Sequence, residues 1–313
     1  MQGGLQGRRP RPPPPRGGAR GHRLPTFREP PRPHDIPLRR RLFVARSRKK
    51  LNEIARGVCV GRSAYDEKVF IDSRGRKYFY RLWRAERARA ALVLLHALGL
   101  HSGRYAWLCE ELASMGVTCF APDLHGHGLS EGARGGGSFG ELLASARTFV
   151  QLARSKCGSR KLRLAGHGLG ALLALASSDL ADGGVVALSP VIELAPLWRS
   201  FPKLKLMAVV GLKICLEPHP LYDSRHRDAI LKAEADSLVV RKVPAKLVVE
   251  AMHLLRSGRK LAESFVVLAE RRLAGSECYS AFRGLAQRVG GEVLYEPELQ
   301  EFPFEELAEE LIA

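Results

Sequence analysis

From residue 91 onward, short strand-like runs alternate with segments of helical period. The runs are 91–95 (ALVLL), 117–121 (VTCFA), 161–165 (KLRLA), 184–189 (GVVALS), 264–268 (SFVVL) and 292–295 (EVLY). A continuously apolar run of this length suits a strand buried on both faces. Between the first two, Tyr105, Leu108, Cys109 and Leu112 recur at i, i+3, i+4 and i+7, the period of a helix with one buried face. Ser138 and Glu141 form an S-x-x-E capping box before Leu142, Leu143, Ala146, Phe149 and Val150. Further helices are expected over about 169–180, 245–257 and 279–288, with a last one carrying Phe304, Leu307, Ala308 and Leu311. Ahead of all this, 67–83 reads as a β-hairpin turning at Ser73-Arg74-Gly75. Strands alternating with helices give a mostly parallel central sheet with helices on both faces.

One stretch breaks the alternation. Residues 190–240 contain Trp198, Phe201 and the apolar run Leu206 to Leu212, flanked by Lys203, Lys205 and Lys213. An insertion there sits at the carboxyl ends of the strands, where open α/β sheets bind ligands. The run reads as the inner face of a cap in preference to a membrane-docking face with lysines at the headgroups.

Charge separates the tail from the body. The chain of 313 residues has a net charge of +18, but residues 1–50 hold 15 Lys+Arg against Glu29 and Asp35, leaving +5 for 51–313. Those 50 residues also hold ten of the 19 prolines. Residues 1–40 are expected to be disordered. They read as a solvated basic arm or as a start site placed too far upstream, with the domain proper running from 55 to 313. The mild charge of the body implies no specific nucleic-acid surface. The third possibility for the chain, a protein working through nucleic acid or membrane contact, is confined to the arm. No apolar run approaches the roughly 20 residues of a membrane span, and 1–40 has no apolar signal core, so a cytoplasmic location is expected. Asn occurs once and Gln five times, a depletion expected of a thermophile. The six cysteines form no C-x-x-C pair, which excludes a zinc ribbon or thioredoxin-type motif, and Cys109 and Cys119 read as core residues.

Two segments carry specific identity: Leu95-His96-Ala97-Leu98-Gly99-Leu100-His101-Ser102-Gly103-Arg104-Tyr105, and Asp123-Leu124-His125-Gly126-His127-Gly128-Leu129-Ser130. Together they resemble the α/β-hydrolase group of monoacylglycerol lipases, lysophospholipases and serine aminopeptidases. That group reads HG-x-G-x-HS-x-RY after its third strand and D-x-x-GHG-x-S after its fourth. The resemblance covers about residues 65–310, with 190–240 in the place of the family's cap. It implies the α/β-hydrolase fold, no cofactor, and structural hydrogen bonding rather than metal binding for His96, His101, His125 and His127. Asp123 belongs to the same structural motif, and Ser102 and Ser130 read as turn-stabilising.

The resemblance also implies a nucleophile elbow, G-H-S-x-G, after the fifth strand. The chain has Gly166-His167-Gly168-Leu169-Gly170. The small flanks are kept, but position 168 has no side chain and cannot attack a carbonyl. The family's acid falls on Leu273 and its base on Gln300, and no His follows His253. The backbone donors of the family's oxyanion hole would be the N–H groups of Leu98 and Leu169. With no side chain at 168, open space beside those donors is expected, room for the carboxylate or carbonyl of an acyl ligand. Glu277 and Asp223 are carboxylates without an identifiable His partner and read as surface charge.

Two functional classes follow for the body. One is a catalytically inactive α/β-hydrolase-fold protein that binds a small lipid-like or acyl ligand, or acts as a scaffold, with at most peripheral membrane contact. The other is a carboxylic ester hydrolase with an unrecognised nucleophile.

Overall fold

The computed structural model describes residues 65–191, 193–216 and 235–257 and the strands Phe265–Glu270 and Glu292–Glu296, all in the unit Ser47–Ala313. The expected tail, Asp223, Leu273, Glu277, Gln300 and the helices after 270 lie outside the described residues.

The hairpin forms as its sequence requires. Strand β1 (Tyr65–Ile71) pairs antiparallel with β2 (Lys77–Trp83), and Asp72 holds the turn by accepting from the Arg74 and Arg76 N–H groups at 2.9 Å. Next come β3 (Ala90–Leu95), helix α1 (Ala106–Ser114) and β4 (Val117–Pro122). Helix α2 (Phe139–Cys157) opens on the expected capping box, with Ser138 Oγ accepting from the Glu141 N–H and Glu141 reaching back to the Ser138 N–H. Strand β5 (Lys161–His167) leads into α3 (Leu169–Leu175), followed by β6 (Val185–Leu188). The cap contributes α4 (Phe201–Val209) and a small antiparallel ribbon of β7 (Lys213–Cys215) and β8 (Lys242–Pro244). Helix α5 (Ala245–Ser257) and strands β9 (Phe265–Glu270) and β10 (Glu292–Glu296) complete the described elements.

The main sheet has the order β1-β2-β4-β3-β5-β6-β9-β10, antiparallel at the β1–β2 and β2–β4 pairs and parallel throughout the rest. Strand β3 lies inside the sheet between β4 and β5, and every residue of it is buried. That is why its sequence is continuously apolar rather than alternating. Its alternate residues feed two cores. Ala91, Val93 and Leu95 pack with Leu142, Ala146, Phe149 and Val150 of α2, while Leu92 and Leu94 pack with Leu108, Cys109 and Leu112 of α1. Helices therefore cover both faces of a mostly parallel sheet, as the alternation implies.

Two details differ from the sequence reading. The helix expected over 169–180 stops at Leu175. Arg147 donates to the Ala176 carbonyl at 3.1 Å and grips Asp179 with both terminal nitrogens, and Ser177 Oγ donates back to Leu173 O. These groups take the terminal carbonyls that a longer helix would have used. The apolar run in the cap is also divided. Phe201 and Leu204 of α4 are buried, but Leu206, Val209, Val210 and Leu212 are exposed by 50–85%, so the run is not simply an inner face. The buried side is held to α5 by Arg256, whose guanidinium lies 4.6 Å from the Trp198 ring centre and 4.1 Å from that of Phe201.

Candidate active site

The turn from β5 to α3 has the tight geometry of a nucleophile elbow. Gly168 sits at φ 55°, ψ −121°, and its N–H donates to Leu188 O on β6 at 3.0 Å. Its neighbours are small because the backbone is crowded. A Cβ on Gly166 would overlap the Gly170 carbonyl, and a Cβ on Gly170 would overlap the carbonyl oxygens of Leu95 and His96. The elbow is thus wedged against the end of β3, which brings the loop after β3 beside it.

That approach creates a pair of converging donors. The Leu98 and Leu169 N–H groups both point at one atom, Oε1 of Glu193, at 2.8 and 3.2 Å. The two N–H groups that the resemblance assigns to an oxyanion hole do converge, and they converge on a carboxylate of the chain itself. The space expected beside the donors is filled in the same way. A Cβ built on Gly168 would overlap both Glu193 oxygens and lie 2.5 Å from the carboxyl carbon. Glu193 stands in the volume that a residue-168 side chain would take.

Glu193 reaches this position from the junction between β6 and the cap. The chain leaves β6 through Ser189 (φ 36°) and Val191 (φ 61°), two non-glycine residues in the left-handed region. That conformation is uncommon for Ser and strained for a β-branched Val. Val191 and Leu194 are fully buried around the side chain, and Glu193 itself is only 6% exposed. Burial pushes its carboxyl up to about 7, against the pull of its own, the Leu169 and the Leu98 N–H groups, which favour the charged form. Among the described residues there is no ion pair to Glu193 and no hydrogen-bond partner for its Oε2.

The residues of the two family motifs build the frame around this centre. Asp123 is fully buried and joins both loops, with Oδ1 accepting from Ser102 N at 2.7 Å and Ser102 Oγ at 2.6 Å, and Oδ2 from Leu129 N at 2.8 Å. Ser130 Oγ donates to Asp123 O at 2.6 Å and accepts from Phe79 N, tying the second loop to β2. Arg81 approaches Asp123 at 3.8 Å and donates to Ser102 Oγ at 2.8 Å. Three of the four motif histidines act as struts, whereas His125 departs from the expected hydrogen bonding: its Nδ1 has no partner among the described residues and its ring lies 6.4 Å from that of Tyr78. His96 Nε2 accepts from Leu124 N at 2.9 Å, which leaves Nδ1 to donate to Ala97 O at 2.8 Å. Burial lowers its pKa to about 4, outweighing the nearby Asp123, so it is neutral at pH 7. His127 donates to His125 O at 3.0 Å, and burial together with His96 lowers it to about 3. His101 Nδ1 accepts from Gly103 N while Nε2 meets Asp236 at 2.9 Å, fastening the loop after β3 to the end of the cap insertion. Beneath the elbow, Tyr105 Oη accepts from Ala97 N at 3.0 Å and contacts His167 Nδ1 at 2.8 Å.

Leu98, Leu169 and Gly168 thus converge as the sequence implies, with His96, Asp123, His101 and His127 supporting them. Glu193 was not expected. Its one signal is a lone carboxylate in the apolar stretch Pro190-Val191-Ile192-Glu193-Leu194-Ala195, just past the end of a strand.

The fold and the motif loops have counterparts among known proteins. The family described as "Serine aminopeptidase, S33" matches residues 86–267. Phospholipase YtpA of Bacillus subtilis is 29% identical over 197 residues, covering 59% of this chain and 74% of that protein. Human monoglyceride lipase is 29% identical over 151 residues, covering 47% of this chain and 49% of the lipase, so the chain matches about half of that relative's length. Among solved structures, the monoacylglycerol lipase of Paleococcus ferrophilus superposes with a TM-score of 0.62 at 25% identity, over 75% of this chain and 98% of that one. A soluble variant of the Saccharomyces cerevisiae monoglyceride lipase, solved with a substrate analog, gives 0.66 at 14% identity over 80% and 95%, a likeness of fold. The match over residues 86–267 spans more than half of the chain, which belongs to the serine aminopeptidase S33 family of α/β-hydrolases.

Proposed function

We propose that this protein is a non-hydrolysing member of its family, a cytoplasmic binder of a lipid-like or acyl ligand. Its single α/β-hydrolase domain runs from about 55 to 313, with the cap over 190–240. The observation that carries the reading is the elbow: Gly168 offers no nucleophile, and the Glu193 carboxylate fills the vacant volume and takes both oxyanion donors. Acyl transfer on this fold needs a nucleophile, a base to take its proton and free N–H donors for the developing oxyanion. The first is missing at Gly168. The resemblance puts the second at Gln300 and the acid at Leu273, and neither side chain can serve. The third is present but engaged. Losing a triad in a working enzyme lowers kcat by a factor of about a million. The lipid-like ligand class is supported by the relatives, which are named as monoglyceride lipases and a phospholipase. The exposed Leu206, Val209, Val210 and Leu212 beside Lys203, Lys205 and Lys213 support peripheral membrane contact. No helix among the described residues is long and apolar enough to cross a membrane.

The test is hydrolysis of p-nitrophenyl esters and monoacylglycerols by the purified chain, compared with a Gly168→Ala variant. Equal, background rates are expected. Turnover that persists through purification and is blocked by a fluorophosphonate would overturn the reading in favour of an ester hydrolase, and the labelled residue would identify its nucleophile.

A further inference from the structure

The two converging donors beside Gly168 hold a carboxylate. Two backbone N–H groups from different loops converge on a single carboxylate oxygen at 2.8 and 3.2 Å. The carboxylate they hold belongs to residue 193, on the first residues of the cap insertion. It is more than nine-tenths buried, and among the described residues it has no ion-pair partner and its second oxygen accepts no hydrogen bond. Burying a carboxylate so incompletely compensated is costly. An apolar or amide side chain would suit packing at this position better, so packing alone does not account for a glutamate there.

We propose that Glu193 is a resident plug of the oxyanion hole, which admits the carboxylate or ester carbonyl of an external acyl ligand only when this side chain withdraws. The proposal deepens the ligand-binding reading above and rests on it. The pieces fit one another. Any side chain at 168 would collide with the plug, and glycine there leaves room for it. The plug hangs from a segment whose backbone is strained at Ser189 and Val191, so relaxation of that segment works in favour of withdrawal. The same segment leads directly through Leu194 into the cap, where Leu194 is fully buried and its N–H donates to Val191 O. The plug and the cap's first turn are therefore joined through one short stretch of backbone. An external carboxylate competes for the same two donors, so its apparent affinity is its intrinsic affinity reduced by the fraction of molecules that are unplugged.

The experiment uses the full chain, laurate as the probe, and four proteins: wild type, Glu193→Ala, Glu193→Gln and Gly168→Ala. Glu193→Ala deletes the plug. Gly168→Ala evicts it sterically and serves should the first variant fold poorly. Glu193→Gln removes the charge but keeps an acceptor oxygen for the two donors. By calorimetry, Glu193→Ala and Gly168→Ala should bind laurate at least tenfold more tightly than wild type, the gain expected if fewer than about one molecule in ten is unplugged. Glu193→Gln, which plugs without burying a charge, should bind laurate no more tightly than wild type. Equal binding by wild type and Glu193→Ala would overturn the proposal. So would a gain in Glu193→Gln as large as in Glu193→Ala, which would mean charge repulsion rather than occupancy. A second readout needs no ligand. The amide proton shifts of Leu98 and Leu169 should titrate together with pH in the wild type and be flat in Glu193→Gln. Flat shifts in the wild type would also overturn the plug. If all four proteins ignore laurate while the amides titrate, the lipid-ligand reading fails and the plug stands.

Discussion

Replacing Glu193 by Gln removes an ionisation while keeping an acceptor for the Leu98 and Leu169 N–H groups, so its effect on stability isolates the charge. Burial raises the Glu193 carboxyl from an ordinary value of 4.5 to about 7 in the folded chain. Between those two values the folded state holds a proton that the unfolded state has released, so stability falls as pH rises through that window and levels off above it. Each pKa unit is worth about 1.36 kcal/mol, so the accumulated loss is about 3 kcal/mol. The neutral glutamine suffers none of it. Glu193→Gln should therefore match the wild type near pH 4.5 and exceed it by about 3 kcal/mol at pH 8, a large share of the 5–15 kcal/mol typical of a domain. His96 and His127, lowered to about 4 and about 3, contribute a slope of opposite sign below pH 6.5. They do so in both proteins and cancel in the difference. The assay is urea unfolding of both proteins at several pH values from 5 to 8.5, compared by midpoint at matched m-value. A difference that does not change with pH would refute the reasoning, because it would mean that Glu193 ionises freely and is not enclosed as described.

Asp123→Ala should destabilise the fold by about 3–5 kcal/mol, because it leaves the Ser102 and Leu129 donors unpaired and Arg81 without its buried partner. Denaturant midpoints, or soluble yield if the variant is too weak to purify, would check this, and a loss below 1 kcal/mol would contradict the hub role given to Asp123. Of the four described cysteines, Cys215 is exposed while Cys109, Cys119 and Cys157 are buried, with burial holding the Cys109 thiol well above its usual range. Brief iodoacetamide treatment of the native chain, mapped by peptide mass, should label Cys215 and spare the other three.

The sheet was legible because its strands announce themselves. A run such as ALVLL at 91–95 is too short for a helix and too apolar for a surface, and β3 proves to be enclosed by β4 and β5 with helices on each face. The capping box at Ser138 marked a helix start to the residue. The end of α3 was not legible in the same way. Alanine and leucine continue the helical preference through 176, and what stops the helix is Arg147, a residue distant in sequence that takes the Ala176 carbonyl. The frame of the site was legible from its two motifs, since Asp123, His96, His101 and His127 all occupy supporting positions. Its centre was only half legible. That position 168 lacks a side chain is a fact of local sequence. That the gap is filled by residue 193 depends on a nonlocal approach, made through two left-handed residues at 189 and 191 that neither glycine nor asparagine advertises.

Glycine at 168 and glutamate at 193 are therefore coupled by volume, and this sets what a return to catalysis would require. Restoring the nucleophile alone, as Gly168→Ser, places a Cβ where the Glu193 carboxylate now lies. The glutamate must then move, and the new hydroxyl still has no imidazole to take its proton. Adding Leu273→Asp and Gln300→His supplies the acid and base that the family resemblance assigns to those positions. In that triple variant the new serine side chain evicts the Glu193 carboxylate from the two donors, which are then free for the developing oxyanion. One such donor is worth about 10²–10³ in kcat where it has been removed from an enzyme. The quadruple variant that also carries Glu193→Ala should therefore turn over p-nitrophenyl ester at much the same rate as the triple variant, well short of the roughly 10²–10³ gain of unblocking a donor, read as initial rates on the same ester. A quadruple variant faster by about 10²–10³ would mean that the carboxylate still holds a donor in spite of the new serine side chain. A quadruple variant slower than the triple would mean that the carboxylate assists turnover rather than blocking it.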